Sequence, residues 1–245
     1  GADLDVMARD AAAKAVGGNW DAYSVTWPEF SGYSAADKVN PGSGLFGLDA
    51  AYPAATYAGY NATSLGEGIG MWMAENGEAN YSHVHSLGHS AGTWMANTIV
   101  DWFEANRNVT SQLTIFDAFG HNSQGTLEGY KGFRIVGKPT PALGATADYA
   151  EHYVDRTFLP FTKWDFQNLL NIDVSDLAPD VLPGTGTDPF DIENRHAWPR
   201  YWYMNTQAYI NNPTELRKWA VGGWGYEILL RYFHSWRNFL YEACL

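Results

Sequence analysis

The chain has 245 residues, 46% of them apolar and 17% charged, which is enough apolar material for one large globular core. Its net charge of −12 excludes the basic stripe that nucleic-acid binding requires and disfavours anionic membrane surfaces. A single cysteine, Cys244, excludes intrachain disulfides, and no apolar run is long enough to cross a membrane as a helix.

In chain order, the first predicted element is a helix over Asp3–Val16, ended by Gly17-Gly18. Tyr23 to Trp27 reads as a strand stopped by Pro28, followed by a Gly/Pro/Tyr-rich connection to about Tyr60. Leu65, Ile69, Trp72 and Met73 then mark a helix ending near Gly77. Glycines 66, 68 and 70 lower its propensity, so it is expected to pack tightly against a neighbour.

Ser82–Leu87 alternates as a strand and runs into Gly88-His89-Ser90-Ala91-Gly92, after which a helical pattern continues to about Ala105. A serine at the apex of a strand–turn–helix is the arrangement that exposes a hydroxyl nucleophile. The glycines on either side are expected to let strand and helix approach closely. Gln112–Asp117 and Tyr149–Val154 are further strands, each closed by an acid, Asp117 and Asp155. Asn171–Val174 is short and extended, and helices are predicted over Trp202–Tyr209 and Tyr226–Glu242. The alternation predicts an α/β fold in one domain over 1–245, a mostly parallel sheet with helices on both faces.

Ser90 needs a base. His83 and His85 share one face of their strand and read as structural, since two ligands do not make a metal site. His89 is expected to point away from the reacting face, and His121, His152 and His234 lack a loop context. His196 follows a polar loop with Asp188, Asp191 and Glu193 and precedes a helix, the place where parallel-sheet hydrolases carry their base. Either Asp117 or Asp155 gives the order Ser, Asp, His, and spacing alone does not choose between them. Trp94 and Trp198 are candidate substrate-binding residues, and segments 126–146 and 181–195 suit lids or rims. The acids Asp173, Asp176, Asp180, Asp188, Asp191 and Glu193 offer oxygen ligands for calcium, although a solvated loop is the simpler reading, and no other cofactor is implied.

At these residues the chain resembles the lipase superfamily of α/β-hydrolases, in its pancreatic-lipase-like branch, from about Trp20 to Tyr209. Val84–Gly92 is similar to that branch's Val-His-x-Ile-Gly-His-Ser-x-Gly, and Ile115-Phe116-Asp117-Ala118 to the segment that bears its triad acid. Val25-Thr26-Trp27 is similar to its Val-Asp-Trp strand, and His196 with Tyr203 to its catalytic histidine and trailing helix. The resemblance implies an α/β-hydrolase fold and a lipase or esterase acting on small-molecule or lipid esters through Ser90, His196 and Asp117. Asp155–Pro160 also resembles the acid segment of the fungal class-three lipases, which keeps Asp155 as the alternate acid. The Ala91 amide is implied as one oxyanion donor. The family's upstream His-Gly-aromatic strand, source of the second donor, has no counterpart here, since only Gly1-Ala2 precede the first predicted helix. The expectation is therefore a fragment lacking its first strands, from a secreted bacterial protein. The rival from another class is a non-catalytic binding module on a hydrolase scaffold.

Overall fold

A computed structural model describes residues 21–25, 48–76, 81–120, 142–157, 162, 164–177 and 192–209. Four strands, β1 (His83–His89), β2 (Thr110–Phe116), β3 (Tyr149–Val154) and β4 (Leu170–Asp173), form one sheet in the order β1-β2-β3-β4. All three pairings are parallel. The helices are α1 (Leu48–Asn76), α2 (Thr93–Asn106) and α3 (Ile192–Tyr209), with short 3₁₀ turns at Ser90–Gly92 and Ser175–Leu177.

Each strand presents alternate residues to two faces, and each face has its own core. On one, Leu113, Ile115 and Ala150 pack with Trp94, Met95, Ile99 and Phe103 of α2 and Ala62 of α1. On the other, Phe116, Tyr153 and Ile172 pack with Trp198 and Tyr203 of α3. The sheet is thus covered on both sides, as parallel sheets require.

The glycine-bearing helix packs as its sequence implied. A Cβ on Gly66 would lie 2.6 Å from the Met95 carbonyl oxygen, and one on Gly70 would press on the Trp102 ring at 3.0 Å. Only glycine lets α1 and α2 come so close. Gly68 has open space beside it and is not explained by packing.

Several elements depart from the sequence expectations. Residues 21–25 form no strand among the described residues. They are exposed and lie against α1 and the start of β1, with Tyr23 and Asp21 hydrogen-bonded to the Tyr81 hydroxyl at 3.0 Å each and Tyr23 edge-on to Trp72. The helix expected after Tyr60 begins instead at Leu48 and runs 29 residues, with Pro53 inside it. α3 begins at Ile192, ten residues before the expected start, and holds Pro199 in its interior, where a missing N–H normally ends a helix. The segment 142–146 is a tight turn. Gly144 (φ 74°) donates to Asn97 Oδ1 at 2.8 Å, and Thr146 bonds Asp101, so this stretch is fastened to α2. The helices expected over Asp3–Val16 and Tyr226–Glu242, His121, His234 and Cys244 lie outside the described residues, as do most of both lid segments.

Candidate active site

The register of the sheet fixes the site. His89 pairs with Phe116, and Phe116 with Tyr153, so β1 and β2 end at one level. Ser90 and Asp117 are each the first residue beyond that level, on strands whose spacing is about 4.8 Å. Both leave the sheet through left-handed backbone, Ser90 at φ 55° and Asp117 at φ 44°, the only non-glycine residues described with positive φ. That conformation costs a non-glycine residue about 1–3 kcal/mol and gathers at functional sites.

After Ser90 the chain makes one 3₁₀ turn and enters α2. The Ser90 carbonyl accepts from Thr93 Oγ1 at 2.7 Å and from the Phe119 amide at 3.3 Å, which ties the serine turn to the loop after Asp117. Gly88 is required by room, since a Cβ there would lie 2.7 Å from Thr93 Cα and 2.9 Å from the Gly92 carbonyl oxygen. Gly92 is not, because nothing stands within 4 Å of a Cβ added there. The expectation that both glycines allow close approach therefore holds for Gly88 alone. Gly88→Ala is expected to cost about 3 kcal/mol, because backbone rather than a flexible side chain blocks the methyl, while Gly92→Ala stays within about 1 kcal/mol. Urea denaturation of the two variants beside the parent checks this, and equal losses would contradict the packing.

His196 does not sit on a loop, as the sequence suggested, but inside the first turns of α3. The helix was expected only from Trp202. The helix nevertheless brings the imidazole to the sheet edge, where His196 Nδ1 meets Asp117 Oδ2 at 2.6 Å. The other Asp117 oxygen, Oδ1, accepts the Asp155 amide at 3.1 Å. Asp117 is 1% exposed, and burial pushes its carboxyl above the usual range while the His196 N–H opposes the shift. With Nδ1–H donating to Asp117, Nε2 carries the lone pair available to accept a proton.

Asp155 faces elsewhere. Its Oδ1 accepts from the Thr157 amide at 2.9 Å and from the Thr157 hydroxyl, and its Oδ2 pairs with Arg195 Nη1 at 3.2 Å. It therefore fastens the residue before His196 rather than His196 itself. Among the described residues no hydrogen bond joins Ser90 Oγ to His196.

Two further histidines brace this edge. His152, fully buried, accepts the Ala118 amide on Nε2 at 3.2 Å and so donates from Nδ1 to Asn171 Oδ1 at 3.1 Å, and burial lowers its pKa to about 4. It holds the residue after Asp117, a role no loop context announced. His89 was expected to point away from the reacting face. Its ring instead lies 4.5 Å from that of His196, and its Nε2 bonds the His196 carbonyl at 2.8 Å.

Trp94 and Trp198 are core residues. Both are fully buried, with indole N–H groups bonded to the carbonyls of Phe119 and Val174 at 2.9 Å. His85 is structural, bonded to Thr114 Oγ1 at 2.9 Å. Asp173 caps Ser175 and pairs with Arg156, and among the described residues no group of three or more acids, histidines or cysteines gathers as a metal centre. Asp180, Asp188 and Asp191 lie outside the described residues. No family model matches the chain, and no curated protein or solved structure matches it either.

Proposed function

We propose that the chain is a serine hydrolase of the α/β-hydrolase, pancreatic-lipase-like type, which cleaves carboxylic esters through Ser90, His196 and Asp117. The observation that carries this is the 2.6 Å contact between His196 Nδ1 and Asp117 Oδ2, beside a serine held in left-handed backbone at the mouth of a parallel sheet. His196 Nε2 takes the Ser90 proton as Oγ attacks the ester carbonyl. The same proton then passes to the leaving alcohol, and water, deprotonated in its turn by His196, frees the acid and restores Ser90.

The helical run begins at Ser90–Gly92, and the lack of an intrahelical partner for an amide in that first turn supports Ala91 as a donor to the oxyanion. Asp117 holds the imidazole in the Nδ1–H tautomer and stabilises its cation. The absence of a Ser90–His196 hydrogen bond among the described residues favours one second reading, a binding module that retains the scaffold without the chemistry. The hydrolase reading allows for this, since such bonds often tighten only with substrate bound.

A fluorophosphonate probe separates the two. In a working site Ser90 Oγ displaces fluoride at phosphorus, and peptide mapping finds the adduct on Ser90. Short- and long-chain nitrophenyl esters then grade acyl length. A folded protein with neither an adduct nor ester hydrolysis is the binding module.

A further inference from the structure

The serine turn carries a second imidazole for which the proposed chemistry has no use. By strand alternation His89 shares a face with His85 and Leu87, and α3 covers that face. His89 Nε2 meets a backbone carbonyl, that of His196, at 2.8 Å. A carbonyl only accepts, so Nε2 must carry the hydrogen. The two rings are 4.5 Å apart and tilted by 40°.

We propose that His89 is a positioning residue for His196, one that locks the base's backbone to the turn bearing the nucleophile. This inference rests on the hydrolase reading and adds to it the part that couples base to nucleophile. Among the described residues His196 is then held at three points: by its own ring to Asp117, by its carbonyl to His89, and by its neighbour Arg195 to Asp155. The first and third anchor it to β2 and β3. Among the described residues, only the His89 bond anchors it to β1, one residue from Ser90. The distance from Ser90 to His196 therefore depends on this bond more than on the other two.

The role requires His89 to stay uncharged while His196 cycles through its cation, because two imidazoliums at this separation repel. Burial and the neighbouring His196 and Arg200 all hold the His89 ring well below the usual histidine range. The two α3 groups that bear on it, His196 and Arg200, are both basic.

His89→Phe keeps the ring and removes the donor, and His89→Gln returns an N–H close to the Nε2 position. His89→Phe is expected to slow fluorophosphonate labelling of Ser90 and kcat by about 10²-fold with KM little changed, the penalty for a misplacement of about 1 Å. His89→Gln is expected to restore most of that loss. The His196 Nδ1 proton, shifted downfield in the NMR spectrum by its short bond to Asp117, is expected to weaken or broaden in the Phe variant and to return in the Gln variant. Phe and parent proteins with equal labelling rates and the same proton signal would overturn the proposal. Should the Phe variant fail to fold, the Gln variant decides: a folded protein that labels slowly and lacks the signal overturns the role of the N–H, and near-parental behaviour supports it. A parent that fails to label but shows the downfield proton, lost with Phe and regained with Gln, refutes the hydrolase reading and leaves the clamp standing.

Discussion

Asp117→Asn is expected to lower Ser90-dependent ester hydrolysis by about 10⁴-fold, whereas Asp155→Asn lowers it by no more than about 10²-fold. The first change replaces the carboxylate that accepts the His196 Nδ1–H at 2.6 Å with an amide that can present an N–H instead, favouring the wrong tautomer. The geometry is nearly preserved, so the loss falls on kcat rather than on folding. The second change weakens the pairing with Arg195 Nη1 at 3.2 Å and one acceptor of the Thr157 turn, while His196 keeps its own partner. Its main effect is expected in the melting temperature. Steady-state kinetics with a nitrophenyl ester, beside thermal melts of both variants, give the comparison. Equal kinetic losses, or the larger loss at Asp155, would transfer the acid's role to Asp155.

Glu151→Gln is expected to stabilise the protein by up to about 3 kcal/mol at pH 8 and by little at pH 4. Glu151 is 2% exposed, on the sheet face beneath α3. Its Oε1 accepts from Thr114 Oγ1 at 2.8 Å, and its Oε2 from Tyr149 and Tyr153 at 3.2 and 3.1 Å. His85 supports Thr114 from β1 and Tyr203 bonds it from α3, while the buried Gln112 Nε2 on the same face has no hydrogen-bond partner. Among the described residues the partners of this carboxylate are all neutral hydroxyls. Burial therefore wins over the hydroxyl donors and raises the pKa from 4.5 to about 7.

A carboxyl whose pKa is raised on folding gives stability that is whole below the unfolded value, near 4.5, and is lost as the pH rises through 7. The shift corresponds to about 3 kcal/mol at about 1.4 kcal/mol per pH unit. The acid limb has the opposite sign. Burial lowers His85 to about 3 and His152 to about 4, so their contribution is whole above 6.5 and fades as the pH falls toward those values. The limbs overlap between about 4.5 and 6.5, where two histidines outweigh one carboxyl, so the native protein should be most stable near pH 6.5, and Glu151→Gln should remove the fall above that pH and steepen the rise below it. Urea midpoints from pH 4 to 8 for both proteins test it, and parallel curves would refute the assignment.

How much of this was legible in the sequence follows from which interactions are local. The four strands, the serine turn and α2 were legible within about two residues, because alternation and helical periodicity are properties of neighbours in the chain. Ser90, Asp117 and His196 were legible as candidates from the strand ends and from the resemblance the motifs carry. Which of Asp117 and Asp155 bonds His196 was not legible from spacing, since it turns on Arg195 and Thr157 competing for Asp155. The direction of His89 was missed because α3 arrives on the far face of β1, a fact of tertiary packing. α1 was read too short because Pro53 and the Gly/Tyr-rich composition resemble a connection. Trp94 and Trp198 read as pocket rings because composition does not distinguish a buried indole bonded to a carbonyl from one facing a ligand.

The left-handed backbone at Ser90 and Asp117 has a consequence for any attempt to engineer the protein. A search for stabilising substitutions that scores folding alone will rank glycine highly at Ser90, since it relieves the torsion there, whereas at Asp117 the same relief is opposed by the loss of the acceptor for His196 Nδ1 and the Asp155 amide. Such a search would erase the nucleophile on which the proposed reaction depends. Libraries for thermal improvement therefore need that codon held constant.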